Sequence, residues 1–277
     1  KYGYNPDFFD IDLLNSSDIE ILEYFKGKQP DVVGLSAVVS TSYLKVKKIS
    51  RIIKEANPKT IIAIGGNMAV SANLLLRKTE IDFCVLGDGE KPLLELLKYI
   101  NENGKKKIMN ELLKIKGLAF LNKENEMEFT GYGIPILSEE SVCTDYEVLK
   151  KGLLSKPELI SSYFGKAREE TTWFANDPRT FEPDRKQNAA MVLMGKGCVA
   201  KCTFCQRFSR GFHTFGMKKL ERYISDLKNK YDVQSIIIGG ENFGLPREYA
   251  YQVAKLLKKY DMLWVSYASR CTNFKAE

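Results

Sequence analysis

The 277-residue chain predicts an α/β protein, in which a parallel-sheet first part is followed by the beginning of a parallel α/β barrel. Three observations predict it. Strand-length apolar runs alternate with helical stretches at a spacing of about 25–30 residues, the mark of βαβ units. Small residues cluster just after those runs. Three cysteines, Cys198, Cys202 and Cys205, lie within eight residues, directly after one such run.

The elements follow in order. Phe8 to Ile11 is a short strand-like run. Ser17 to Glu20 fits a capping box, with Ser17 as N-cap and Glu20 reaching back. Ile19, Ile21, Leu22, Tyr24 and Phe25 continue that helix, and Pro30 ends it. Asp31-Val32-Val33-Gly34-Leu35-Ser36 is a strand apolar on both faces, as a buried parallel strand requires. Ser40-Thr41-Ser42 opens a helix that runs to Asn57-Pro58. Ile61 to Ile64 is the next strand, closed by Gly65-Gly66-Asn67. After a helix through Leu74 to Leu76, Phe83 to Leu86 leads into Gly87-Asp88-Gly89-Glu90, and a helix runs from Pro92 to Ile100. Leu118 to Leu121 and Met127 to Phe129 form a hairpin. Residues 131–188 are less regular and read as a connector, with Tyr146 to Leu154 helical.

In the second part, Met191 to Met194 is a strand leading into the cysteine loop, Gly195 to Cys205. Met217 to Asn229 is a helix. Ser235 to Ile238 is a strand ending in Gly239-Gly240-Glu241. Pro246 to Lys259 is a helix with its proline near the start, and Leu263 to Ser266 is a further strand. Functional groups at strand C-termini are what such a barrel offers.

Composition narrows the function. With 44% hydrophobic and 28% charged residues the chain is globular, not disordered. No apolar run approaches the roughly 18–20 residues of a membrane span. Net charge is +7, and residues 196–277 carry 15 basic against 7 acidic residues. That suits an anionic small ligand as well as it suits nucleic acid. Six cysteines, three of them clustered, do not form a secreted disulfide framework. They indicate a reducing, cytoplasmic compartment and a metal site.

The C-x3-C-x2-C spacing supplies soft thiolates suited to an iron–sulfur cluster or to zinc. A structural zinc site needs four ligands, and His213, the single histidine, is the candidate fourth. A non-catalytic zinc module is therefore one reading. In the first part, the small residues after each strand sit at the carboxyl edge of the sheet, where ligands bind in open α/β folds. Ordinary tight turns are the alternative there, and no G-x-G-x-x-G marks a dinucleotide site.

The Cys198-x3-Cys202-x-Phe204-Cys205 loop after a strand, with Gly239-Gly240-Glu241 one βα unit later, resembles the radical S-adenosylmethionine enzymes. Asp31 to Ser36, Gly65 to Asn67 and Gly87 to Glu90 resemble the cobalamin-binding domain that precedes many such barrels. The resemblance implies a Rossmann-like cobalamin-binding domain over residues 1–130 that lacks its first strand. A connector over 131–188 and the truncated N-terminal part of a radical barrel over 189–277 would follow. Cys198, Cys202 and Cys205 would hold a [4Fe–4S] cluster. Phe204, Gly239, Gly240, Glu241 and Arg270 would contact S-adenosylmethionine. Ser36, Ser40, Thr41, Ser42, Gly65, Gly66, Asn67, Gly87, Asp88, Gly89 and Glu90 would hold cobalamin, with no histidine of that domain on the cobalt.

The implied reaction is methylation of an unactivated carbon of a small-molecule substrate, fed by a reducing partner such as flavodoxin or ferredoxin. Oxidative cyclisation, ring rearrangement, or a first domain that no longer binds cobalamin are the alternatives. Methylthiotransferases carry three further cluster cysteines in the N-terminal domain, whereas only Cys84 and Cys143 precede the loop here. Only 79 residues follow Cys198 at most, room for about three of the barrel's strands, so the chain reads as part of a longer enzyme.

Overall fold

The structure is a computed structural model that describes residues 3–106, 108–133, 143–167, 174, 176–203, 205, 211–240, 242–266, 268–270 and 273. The chain divides into two compact units. The first comprises Lys1–Tyr4, Asn15–Pro135 and Thr203–Ser209, and the second Asn5–Leu14, Ile136–Cys202 and Arg210–Glu277.

The first unit opens with α1 (Asp18–Lys28), capped as expected: the Glu20 amide donates to Ser17 Oγ (3.3 Å), and the Ser17 amide donates to the Glu20 carboxylate (2.7 Å). The sheet runs β1 (Val32–Ser36), β2 (Ile61–Gly65), β3 (Phe83–Val85), β4 (Leu118–Leu121), β5 (Met127–Phe129), in that spatial order. β1, β2 and β3 are parallel, with Val32 opposite Ile61 and Ala63 opposite Phe83. β4 turns antiparallel to β3 and pairs with β5 as the expected hairpin. Helices α2 (Tyr43–Ala56), α3 (Ala72–Lys78), α4 (Glu90–Asn103) and α5 (Met109–Leu112) join these strands.

β2 is buried on both faces, as a central parallel strand must be. Ile61 and Ala63 pack with Phe83, Val85, Leu96, Tyr99, Leu118 and Phe120 on one side. Ile62 and Ile64, alternate residues pointing the other way, are fully buried too. β1 differs from its expectation. It is the outer strand of the sheet and is only half covered, because its far edge has no partner strand among the described residues.

The second unit carries α6 (Tyr146–Lys151), then a sheet of β6 (Gly165–Lys166), β7 (Asn188–Leu193), β10 (Val233–Gly239) and β11 (Leu263–Ser266). Its spatial order is β11-β10-β7-β6. β7, β10 and β11 are parallel and β6 is antiparallel. A separate hairpin joins β8 (Gly195–Cys198) to β9 (Gly211–Thr214). Ala190, Val192, Ile236 and Ile238 form one face. They pack against Leu220, Ile224 and Leu227 of α7 (Met217–Tyr231) and Val253, Leu256 and Leu257 of α8 (Arg247–Lys259). The other face is covered near its start by Ala167 and Phe174. Toward its carboxyl end that face presents Met191 and Leu193, 53% and 41% exposed.

Two further expectations are corrected. Phe8 to Ile11 is not a strand. Asp10 takes the Leu13 amide on its carboxylate (2.9 Å) and the Leu14 amide on its carbonyl (3.1 Å), so a local turn captures the backbone that a strand would need free. Gly195 to Cys198, placed in the cysteine loop, instead form a strand that pairs residue by residue with Gly211 to Thr214.

Candidate functional site

Two sheet edges gather the predicted residues. In the first unit, Gly65 O accepts the Ala37 amide (3.2 Å) and Ala37 O accepts the Met68 amide (3.2 Å), so the turns after β1 and β2 are joined by backbone bonds. Gly66 sits at φ +83°, and a Cβ there would lie 2.3 Å from Ala37 O. Only glycine satisfies both conditions. Ser40–Ser42 forms a 3₁₀ turn leading into α2, and Asn67–Ser71 another leading into α3. Gly87 takes φ +78°, Asp88 is buried, and Gly89 caps α4 before Glu90. Ser36, Ser40, Thr41, Asn67 and Glu90 are exposed, and Ser42, Gly65, Gly66, Gly87 and Gly89 are partly exposed.

Sequence reasoning missed the apolar half of this edge. Val38 and Val39, directly after β1, are 60% and 55% exposed, and Leu44 and Leu74 project from the first turns of α2 and α3. Isolated exposed apolar residues are ordinary, but several around one sheet edge suit a flat apolar ligand. The signal was available: Ala37-Val38-Val39 is an apolar run in a segment that must be loop, since the strand ends at Ser36.

In the second unit a cleft forms where β7 and β10 end. Met194, Gly195, Phe212, Gly239, Gly240, Asn242, Phe243, Leu245 and Tyr249 line it. Gly240 takes φ +122°, and a Cβ on it would come within 3.1 Å of Gly195 O; a Cβ on Gly239 would press on Met191 and Leu193. Both predicted glycines thus line the cleft where neighbouring atoms leave no room for a side chain, Gly239 buried and Gly240 partly exposed. The Tyr249 hydroxyl donates to Met194 O (2.7 Å), and burial pushes its pKa up to about 12. It stays protonated and fixes the end of β7. The loop after β11 ties in, because Ala268 O accepts the Phe243 amide (2.7 Å) and Ser269 bridges to Phe243. Arg270, exposed, follows that bridge, and its carbonyl accepts the Asn273 amide (2.9 Å).

Cys198 ends β8 and is partly exposed. Its sulfur accepts the Ala200 amide (3.4 Å), a hydrogen bond of the kind that stabilises metal-bound thiolates. Cys202 is partly exposed and Cys205 exposed, and none of the three is in a disulfide. Among the described residues, no three His, Cys, Asp or Glu side chains are grouped to hold a metal ion. The structure therefore leaves both the cluster and the zinc reading to the chemistry of the donor set. Unpaired, accessible thiols with a backbone donor already on one of them fit an iron–sulfur cluster. His213 lies opposite Lys196 in the hairpin stem. Phe204 and Glu241 lie outside the described residues, as does Cys271. Cys84 is fully buried in β3 and its thiol is pushed up to about 12 by burial, which gives it a packing role. Cys143 is half-buried, and burial raises its thiol against the opposing pull of Lys219.

The B12 binding domain family matches residues 2–97. Cytidylyl-2-hydroxyethylphosphonate methyltransferase of Streptomyces wedmorensis is 22% identical over 265 residues, 90% of this chain and 47% of that protein. Two solved proteins share the fold. The radical S-adenosylmethionine methyltransferase TsrM of Kitasatospora setae, with tryptophan substrate and an S-adenosylmethionine analogue bound, superposes with a TM-score of 0.68 at 16% identity, over 95% of this chain and 48% of its own. OxsB is described as a cobalamin-dependent S-adenosylmethionine radical enzyme. With aqua-cobalamin and S-adenosylmethionine bound, it superposes at 0.62 and 16% identity, over 88% of this chain and 30% of its own. The resemblance to the cobalamin-binding radical S-adenosylmethionine enzymes holds. The chain spans 47% of the curated relative and no more than 48% of these solved structures.

The B12-binding match contains all three predicted loops, from Ser36 through Glu90, together with Val38, Val39, Leu44 and Leu74. The likeness in fold extends through the second unit, where Cys198, Cys202 and the Gly239-Gly240 cleft lie. No helix among the described residues is long and apolar enough to cross a membrane.

Proposed function

We propose that this chain belongs to a cobalamin-dependent radical S-adenosylmethionine enzyme that methylates an unactivated carbon of a small-molecule substrate. One observation carries the reading: the Cys198–Cys205 motif leaves β8 just after a parallel strand whose end shares a cleft with Gly239 and Gly240, in a chain that also matches a B12-binding domain. Methylation is favoured because both the Streptomyces relative and TsrM are named methyltransferases.

The cofactors would supply one-electron cleavage of the sulfonium to a 5′-deoxyadenosyl radical and a transferable methyl group. The chain's own part is to hold and orient. Cys198, Cys202 and Cys205 would bind three irons of a [4Fe–4S] cluster. Gly239 and Gly240, which line the cleft, would meet the aminoacyl end of S-adenosylmethionine, with Glu241 accepting from its amino group and Phe204 against its adenine. Arg270 would pair with its carboxylate, as guanidinium groups do. Phe212 and Phe243 would keep water from the cleft. Ser36, Ser40–Ser42, Gly65–Asn67 and Gly87–Glu90 would hold cobalamin against the apolar Val38 and Val39. In this reading residues 1–130 form the cobalamin domain and 189–277 the start of the barrel. The enzyme works in the cytoplasm with a flavodoxin- or ferredoxin-like electron donor.

Anaerobic reconstitution tests it. About four irons per chain, cobalamin retained through gel filtration, and 5′-deoxyadenosine formed from S-adenosylmethionine under reduction are the expected results. Zinc without iron would overturn the radical chemistry. Iron without cobalamin would remove the cobalamin half of the reading.

A further inference from the structure

Asn242 is 1% exposed, lies beside Gly240 and lines the cleft at the ends of β7 and β10. Its Oδ1 accepts from Asn273 Nδ2 (2.8 Å), and the same Asn273 Nδ2 also donates to the Phe243 carbonyl (2.9 Å). A backbone carbonyl only accepts, so the Asn273 amide cannot be reversed. Asn242 must then present oxygen to it, which fixes the direction of its own NH2. Asn273 is itself held, since Arg247 Nε donates to its carbonyl (3.1 Å). The outcome is a buried, oriented donor: Asn242 Nδ2 has no hydrogen-bond partner.

A buried amide left without a hydrogen bond has given up its water and gained nothing in exchange. A donor both buried and locked at the edge of a cleft is what a binding site holds ready for an acceptor. The acceptor's class follows from the surroundings. The remaining lining is apolar side chain and glycine backbone, with a tyrosine hydroxyl already engaged. Arg270 is placed in the same hydrogen-bonded loop through Asn273. The function proposed above sets the aminoacyl end of S-adenosylmethionine against Gly239 and Gly240, and the acceptor on that end is its carboxylate.

We propose that Asn242 Nδ2 donates to the carboxylate of S-adenosylmethionine, making Asn242 a positioning residue for that ligand's aminoacyl end. This rests on the function proposed above. It differs from it in assigning a residue outside the Gly239-Gly240-Glu241 motif. Asn273 acts behind it, as the group that aims the amide.

The test uses the anaerobically reconstituted protein and two ligands, S-adenosylmethionine and its decarboxylated analogue, with dissociation constants measured for wild type, Asn242→Leu and Asn242→Asp. Asn242→Leu removes the donor, and Asn242→Asp keeps the acceptor for Asn273 but removes the NH2. Both variants are expected to retain iron. Each should lose about ten-fold or more in affinity for S-adenosylmethionine. Asn242→Leu should change affinity for the decarboxylated analogue by no more than about twofold. Equal weakening toward both ligands would mean that Asn242 only shapes the loop, and would overturn the inference. Unchanged affinity for S-adenosylmethionine in both variants would also overturn it. A wild-type protein that holds its irons yet binds no S-adenosylmethionine would overturn the proposed function itself, and the inference with it.

Discussion

The two units solve the same architectural problem in different materials. Each has parallel strands flanked by helices, and each places glycines in close contact with neighbouring atoms where the strands end. In the first unit the edge is built from backbone: Ala37, Gly65 and Met68 lock two turns together, and the exposed side chains among them are hydroxyls, the Asn67 amide and apolar groups such as Val38 and Val39. In the second unit the edge offers side chains with chemistry: the Cys198 thiol at the end of β8, a locked carboxamide on Asn242, and Arg270 on the loop after β11. The difference teaches what each edge is suited to hold. A backbone-and-apolar edge recognises a large surface by shape. An edge of soft ligands and oriented donors fixes a few atoms of a small reactive molecule.

The strongest way to break that contrast is to remove a thiol. Cys202→Ala should abolish iron retention and 5′-deoxyadenosine formation, because a three-thiol cluster site has no spare ligand. Cobalamin retained through gel filtration should be unaffected if the first edge works by shape alone. Iron analysis beside the visible spectrum reads both at once. Iron retained in Cys202→Ala would show that the motif is not the ligand set.

The matching change in the first unit is Gly66→Ala. The new methyl would sit 2.3 Å from Ala37 O at a left-handed φ, so the turn must open. The strain is about 1–3 kcal/mol, visible as a lower thermal midpoint, and cobalamin retention should fall with it. Iron content should stay. A Gly66→Ala protein that melts like wild type would show that the Ala37–Gly66 approach is not tight in solution.

Much of this was legible beforehand, and the reason is local. The capping box at Ser17 and Glu20, the apolar Ile61–Ile64 run and the thiol spacing are properties of a few adjacent residues. The cysteine motif could be read without any fold at all. What escaped depends on partners distant in sequence. Phe8 to Ile11 looks like a strand, yet the Asp10 amide donates to Gly152 O (3.1 Å) and the Asp10 carboxylate accepts from the Tyr163 hydroxyl. β1 reads as buried because its composition is apolar, yet whether a strand is central or outermost is set by what pairs with it. Asn242 carried no signal, because its burial and direction come from Asn273, 31 residues on, and from Phe243.

A subtler change sharpens the contrast by separating apolar contact from backbone shape. Val38→Asp with Val39→Asp leaves the Ala37 and Gly66 locks in place and alters side chains that are more than half exposed. Stability should shift by no more than about 0.5 kcal/mol per site. Cobalamin retention should nevertheless fall several-fold, since charge is placed against an apolar ligand face. Retention equal to wild type would assign recognition to the backbone turns alone.

The smallest effect expected near neutral pH concerns the thiol the first unit does not use for ligands. Cys84 is fully buried in β3, and burial holds its thiol protonated up to about 12, against an ordinary value of 9.0. In cluster-free protein at pH 8, iodoacetamide should modify Cys205, which is exposed, and Cys198 and Cys202, which are partly exposed, while Cys84 reacts only on unfolding. The linkage has a definite sign. Between 9.0 and about 12 the unfolded chain has lost the proton that the folded chain keeps, so folding stability falls as pH rises through that window. Below it Cys84 contributes no pH dependence. Cys84→Ala should therefore flatten the alkaline limb of a melting-temperature profile and leave the neutral part shifted only by the lost packing. Alkylation of Cys84 as fast as Cys205 would place β3 at the surface, and the first unit would then lack the rigid strand from which Gly87, Asp88 and Gly89 emerge.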